Sequence, residues 1–225
     1  MNVLVVAAHP DDEVLGCGGT IARHTASGDE VRVLILGKGI ASRGTGRKAA
    51  ELAKLRSAAK KANAILAVKE HFLERMPDNR MDGVDLLDVV KVVEQHIDDF
   101  NPQTVYTHHA GDLNVDHRVT HQAVMTACRP VPGLSVARIL CFEVPSSTEW
   151  QAPASGPVFA PNWFCDISCT LPAKLKALRA YADEMRKWPH PRSLRAVKHL
   201  AHWRGATVGV DAAEAFVLAR AVEHR

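Results

Sequence analysis

No apolar run in the chain approaches the roughly 18 residues that a bilayer span requires, so no membrane segment is expected. Met1 is followed at once by a strand-like run, not by a basic stretch and an apolar h-region. No secretory signal is read there, and the expected location is cytoplasmic. The chain also lacks a dense Lys/Arg patch interleaved with aromatics. Aromatic residues make up 5%, and 28 Lys and Arg nearly balance 25 Asp and Glu, for a formal net charge of +3. Nucleic acid is therefore not an expected partner. The five cysteines, Cys17, Cys128, Cys141, Cys165 and Cys169, are odd in number and lie in apolar segments. They read as buried thiols, not as a disulfide frame or a zinc knuckle. Internal repeats, low-complexity tracts and a domain boundary are lacking too. A single domain over 1–225 is the expectation, long enough for a full core.

Two motif absences narrow the chemistry. A dinucleotide fingerprint beginning at Gly16 and Gly18 would need Gly at 21, where Ile21 stands. Helix packing, or room for a substrate against backbone, explains those glycines without a cofactor. His117 and His121 are four apart, but a zinc-protease helix would place Glu where Arg118 is.

What the chain does contain is an alternation of buried strands and amphipathic helices. Strands are read at Val3 to Ala8, Val31 to Leu36, Val68 to Phe72, Thr104 to Thr107, Arg138 to Val144 and Phe164 to Ile167. Helices are read at Leu15 to Thr25, Lys48 to Ala64, Val84 to Phe100, after His117 to about Cys128, Ala173 to Lys187, Arg192 to Trp203 and Ala212 to Val222. Ser42 to Arg47 reads as a polar loop and 145–162 as a long surface loop. The expected class is α/β, a Rossmann-like three-layer fold with a mostly parallel central sheet.

Two polar mouths follow buried strands. The first is Ala7-Ala8-His9-Pro10-Asp11-Asp12-Glu13, and the second runs from His108 to His121. His9 and Asp12 offer two metal ligands, with a second carboxylate, Asp11, beside them. A third ligand from the second mouth would leave a position open for water, and His108, His109, His117 and His121 all qualify by spacing. A polar strand-to-helix turn capped by Asp12 is the purely structural alternative.

Ala8-His9-Pro10-Asp11-Asp12-Glu13, with Asp116-His117 after the fourth strand, resembles the PIG-L/LmbE family of zinc-dependent N-acetylglucosaminyl deacetylases. The Gly-rich helix start and Arg204-Gly205, Gly209 and Ala213-Glu214-Ala215-Phe216 extend the likeness along nearly the whole chain. The resemblance implies a Rossmann-like fold and removal of acetyl groups from amino sugars on varied carriers. By position it implies His9, Asp12 and His117 as metal ligands and Asp11 as general base. Asp116 would orient a neighbouring His. One departure stands out. Where the family often has His-Pro-Asp-His, this chain has Asn114-Val115-Asp116-His117. Asn114 can donate a hydrogen bond to an oxyanion but cannot transfer a proton. His109, His121 and His190 are candidates to assist it.

Arg56, on the second helix, resembles a substrate-binding Arg of the family; a solvated helix face is its structural reading. His190 and Arg192 lie at a helix entry, where Arg192 suits a phosphate or carboxylate and Ser193 suits a cap. Asp78-Asn79-Arg80 reads as a turn that could face the site. Glu143 is a site acid or a salt-bridge partner, and Trp150, Trp163 and Trp188 are sugar platforms or core. The expected reaction is metal-dependent hydrolysis of an N-acetylated amino sugar, a small-molecule partner, whether free, nucleotide-linked or conjugated. Zinc is the expected cofactor, and Fe2+ suits the same donors. A metal amidase on a non-sugar N-acyl compound is the alternative, and a nucleotide-binding module is disfavoured by Ile21. The sequence leaves open whether the chain forms a homo-oligomer.

Overall fold

The two leading strands show why their sheet needs cover on both faces. In β1 (Asn2–Ala7) and β2 (Glu30–Gly37), Val3, Val5, Ala7, Val31, Val33 and Ile35 enter one apolar cluster. Leu4, Val6, Leu34 and Leu36 enter another. Side chains alternate across a strand, so consecutive apolar residues such as Val3 to Ala7 and Val33 to Leu36 bury both faces. Residues 1–39 and 48–223 are described by this computed structural model, so the polar-loop reading of Ser42–Arg47 lies outside the described residues.

Helices supply the cover. α1 (Asp12–Ala26), α2 (Lys48–Ile65), α5 (Leu171–Ala180) and α6 (Leu194–Ala206) contribute to the first cluster. α3 (Leu86–Phe100) and α4 (Val115–Ala127) contribute to the second. The remaining strands are β3 (Glu70–Met76), β4 (Thr104–His108), β5 (Arg138–Phe142), β6 (Trp163–Asp166) and β7 (Ala213–Ala221). The described strands form one sheet in the order β3-β2-β1-β4-β5-β7-β6. Pairing is parallel from β3 to β5, and β7 runs antiparallel to both β5 and β6. This is the three-layer, mostly parallel α/β architecture that the strand–helix alternation predicts. Among the described residues, no helix is long and apolar enough to cross a membrane.

The topology places the site. The chain steps outward from β1 to β2 and β3, then returns to set β4 on the other side of β1. The two polar mouths thus follow neighbouring parallel strands, at the switch point where open α/β sheets form a crevice.

Some sequence readings are corrected. Residues 212–222, read as a final helix because of their alanines, form strand β7 instead. A berth between β5 and β6 overrides helix propensity there. Glu214 and Phe216, two apart, reach the same helical layer, as a strand requires. α5 stops at Ala180, where Tyr181 turns inward as its C-cap. The 145–162 segment is not wholly superficial: it includes a 3-10 turn at Thr148–Trp150, and Ser147 and Thr148 are buried. Cys17, Cys128 and Cys141 are buried thiols, whereas Cys165 is half-buried and Cys169 exposed.

α1 also contains a break that the glycines allow. Cys17 is non-helical (φ −143°, ψ 25°), so a second helical segment begins beyond it with its own orphan N–H groups. Glu214 accepts from Gly19 N (2.9 Å) and Thr20 N (2.6 Å), satisfying two of them. Lys174 Nζ pairs with Glu214 Oε1 at 2.5 Å and donates to Leu15 O at 2.8 Å, bridging both sides of the break. A Cβ on Gly16 would lie 2.3 Å from Phe142, and one on Gly19 2.7 Å from Ile167. The Gly-rich stretch is thus explained by close packing.

Candidate metal centre

The first mouth is a strained turn. Asp11 has φ 106°, a left-handed conformation that non-glycine residues rarely hold without support. Support comes from both sides. Asp11 O accepts from Val14 N (3.1 Å) and Leu15 N (2.9 Å), and Asp11 N donates to Glu13 Oε2 at 3.0 Å. Glu13 is itself fully buried; its Oε1 accepts from Tyr181 Oη (2.6 Å) and Asn63 Nδ2 (3.3 Å). Burial lifts the Glu13 carboxyl to about 7. Arg192 Nη1 donates to Asp11 Oδ2 at 3.0 Å. Burial nonetheless pushes the Asp11 carboxyl well above the usual range, against the pull of Arg192.

The second mouth is set by a helix cap. Asn114 Oδ1 accepts from Asp116 N at 2.8 Å, and Asn114 Nδ2 donates to Asn79 Oδ1 at 3.1 Å. This cap places Asp116 and His117 in the first turn of α4.

The mouths meet at Asp12. His9 Nδ1 lies 3.2 Å, and His117 Nε2 3.1 Å, from Asp12 Oδ2. One ligand atom each from His9, Asp12 and His117 falls within 4.8 Å of the others. Asp12 and His117 are wholly buried, and His9 is 12% exposed. Among the described residues, Asp12 Oδ1 and both ring nitrogens of His117 have no partner in hydrogen-bonding geometry, although carboxylates lie close. A fully buried carboxylate oxygen without a donor is costly, and a cation shared among these atoms would satisfy it. Two imidazoles and one carboxylate are suitable donors for Zn2+ and several other divalent ions.

Carboxylates flank both imidazoles. His9 Nε2 lies 2.9 Å from Asp116 Oδ2 and 3.3 Å from Asp78 Oδ1. His9, Asp78 and Asp116 therefore also form a cluster of ligand spacing. Asp116, however, is already committed to backbone, accepting from Asn79 N (2.6 Å) and Met81 N (2.9 Å), so it serves as an outer partner. His117 Nδ1 lies 3.1 Å from Asp112 Oδ1. The surplus of negative charge is visible in basicity. Burial works against a charged imidazole, but Asp116 and Asp12 lift His9 to about 10. At His117, Asp12 and Asp112 likewise overcome burial and lift it to about 9. Burial opposes the charge on Asp12 as well, yet His117 and His9 hold its carboxyl well below the usual range.

The other sequence candidates divide. His108 stacks on His117 (3.9 Å between centroids) and its Nε2 accepts from Ala8 N at 2.8 Å, so it backs the cluster. Burial pushes its imidazole well below the ordinary basicity. The His109 ring lies against Pro157 O (3.0 Å) and that of His121 against His108 O (2.9 Å). His190 Nδ1 accepts from Arg192 N at 3.0 Å and its ring meets Trp150 edge-on. Arg192 reaches the site directly, while Ser193 caps α6 by accepting from Ala196 N. Arg56 is exposed on α2 and, among the described residues, makes no hydrogen bond or ion pair with the cluster. Glu143 pairs with Arg204 through two bonds of 2.8 and 2.7 Å. Trp163 is half-buried beneath Arg138, and Trp150 and Trp188 are half exposed. Sequence reasoning missed the roles of Glu13 and Asp112; the one signal for each is an acid at the end of a buried strand's mouth.

The PIG-L family, described as GlcNAc-PI de-N-acetylase, matches residues 4–128, more than half of the chain. A relative in Escherichia coli (strain K12), named the uncharacterized deacetylase YaiS, is 31% identical over 151 residues, covering 65% of this chain and 75% of its own. A 1D-myo-inositol 2-acetamido-2-deoxy-alpha-D-glucopyranoside deacetylase 1 of Saccharopolyspora erythraea is 26% identical, over 83% of this chain and 78% of its own. Among solved structures, GalB, the 4-carboxy-2-hydroxymuconate hydratase of Pseudomonas putida KT2440, superposes with a TM-score of 0.80. It is 21% identical and covers 100% of this chain and 99% of its own; at that identity the likeness is one of fold.

Proposed function

The chain belongs to the PIG-L family of de-N-acetylases, and from that premise we propose a metal-dependent hydrolase that removes acetyl from an N-acetylated amino sugar. One observation carries this reading: the His9–Asp12–His117 cluster, whose Asp12 Oδ1 has no partner among the described residues, set beside Asp11 at the sheet's switch point. His9, Asp12 and His117 hold the cation, with Zn2+ first and Fe2+ second by donor chemistry. A divalent ion bound there supplies Lewis acidity toward the acetyl carbonyl and the attacking water.

The chain's own groups do the rest. Asp11 takes the proton of the attacking water on its carboxylate and returns it to the departing amine. Arg192, on Asp11 Oδ2, holds that carboxylate in place. Water and amide are consumed, and acetate and a free amine are released. Asn114 spends one amide hydrogen on Asn79 and keeps a second for the developing oxyanion. Asp116, through His9, keeps a ligand oriented. Arg192, which pairs with Asp11, and His190, which accepts from Arg192 N, are the residues proposed to meet the substrate, and Arg56, exposed on α2, is proposed to meet its carrier.

The names of the relatives favour a sugar amide. The fold alone does not choose the reaction, since a hydratase shares it. The test is a substrate panel on metal-loaded protein: free, nucleotide-linked and glycosidically conjugated N-acetyl sugars beside N-acetyl amino acids and simple N-acyl amines. Acetate and amine should appear in equal amounts from the sugar set. Release from the non-sugar amides alone would transfer the same centre to an amidase of different substrate class. No acetate from any of them would overturn the hydrolase reading.

A further inference from the structure

The two mouths are tied together by a third segment, Ser146-Ser147-Thr148, which lies beyond the part of the chain that the family match covers. We propose that these hydroxyl side chains form a clamp that positions the metal ligand His117 through Asp112 and the base Asp11 through Arg192. The proposal rests on the function proposed above.

One arm runs to the metal side. Ser147 Oγ donates to Asp112 Oδ1, and Thr148 Oγ1 donates to Asp112 Oδ2 at 2.6 Å. Val144 N already donates to Thr148 Oγ1 at 2.8 Å, so the hydroxyl hydrogen is directed at the carboxylate. Asn114 N adds a further bond to Asp112 Oδ1 at 2.9 Å. Asp112 is fully buried, as is His117, whose Nδ1 lies 3.1 Å away. Asp112 can orient that ring only if its own oxygens are fixed, and the clamp supplies two of its donors.

The other arm runs to the base. Ser146 Oγ accepts from Arg192 Nε at 2.8 Å, and Arg192 Nη1 pairs with Asp11 Oδ2 at 3.0 Å. Ser146 has φ +69°, a conformation unfavourable for an L side chain. Glu149 holds it there, accepting from Ser146 N (2.6 Å) and Ser147 N (3.3 Å). A strained Ser146 with its hydroxyl on Arg192, followed by two hydroxyls on Asp112, is better accounted for by positioning than by loop packing.

The arms predict different losses. Metal affinity would be measured by competition titration, His117 coordination by the absorption of the Co2+-substituted protein, and turnover by kcat and KM. Ser147→Ala and Thr148→Val should each weaken metal binding by about 10- to 100-fold and shift the Co2+ bands. Thr148→Ser, which keeps the hydroxyl, should restore both. Ser146→Ala should leave affinity and bands as in the wild type and lower kcat with KM unchanged. Circular dichroism would confirm folding of each. Wild-type affinity and bands in folded Ser147→Ala and Thr148→Val, with metal-loaded wild type active, would overturn the clamp alone. Wild type without metal would overturn the clamp together with the proposed function.

Discussion

Asp11→Asn should retain its metal and lose deacetylation, with kcat down by about 10²- to 10⁴-fold, the usual contribution of a general base. The substitution isolates the proton transfer. Asn matches Asp in shape, and Asn tolerates the left-handed conformation that position 11 requires (φ 106°), so the turn should persist. An amide oxygen can still accept from Arg192, so the neighbouring loop keeps its anchor. His9, Asp12 and His117 are untouched, and metal content should stay at the wild-type level. What the amide cannot do is take a proton from water. Full turnover in this variant would remove Asp11 from the mechanism. Simultaneous loss of metal and activity would make it a structural part of the turn.

Lys174→Met should destabilise the fold by about 3–5 kcal/mol, the cost of leaving a buried charge without its partner. Lys174 and Glu214 are 5% and 4% exposed, and their contact lies at the break in α1. Without the ammonium, Glu214 keeps the N–H groups of Gly19 and Thr20 but loses its only ionic partner among the described residues. Leu15 O loses a donor too. The double variant Lys174→Met, Glu214→Gln removes both charges and should recover a large part of the loss, because the amide oxygen of Gln still accepts from the helix end. Urea unfolding of the wild type and both variants measures this. A single variant as stable as the wild type would show that the pair makes no net contribution to the break.

Residue pattern made much of this molecule legible. The continuous apolar run from Val3 and the mostly apolar Val31 to Leu36 read as strands covered on both sides, and the spacing of Val89, Val90, Val93 and Ile97 reads as an amphipathic helix. His9, Asp11 and Asp12 stand out because polar groups crowd directly behind a buried strand. Spacing alone could not choose among His108, His109, His117 and His121; the geometry shows His108 accepting from Ala8 N, His109 against Pro157 O and His121 turned toward His108 O. β7 was illegible because Ala213–Ala221 has helical composition, and only its neighbours β5 and β6 impose the strand. A lone Glu in that apolar run is the trace of its buried partner. Asp112, Ser147 and Thr148 were illegible for another reason. None of the three belongs to a recognisable motif, and the hydrogen bonds that give them meaning span 35 and 36 positions.

The central claim is that His9, Asp12 and His117 form one divalent-metal centre. Elemental analysis of the purified wild type and His117→Ala, with acetate release followed on the same samples, tests it most directly. The account predicts about one metal ion per wild-type chain, with metal and acetate release lost together in His117→Ala. A wild type that stays metal-free after zinc or iron(II) is supplied, or a variant that keeps both metal and turnover, would contradict it.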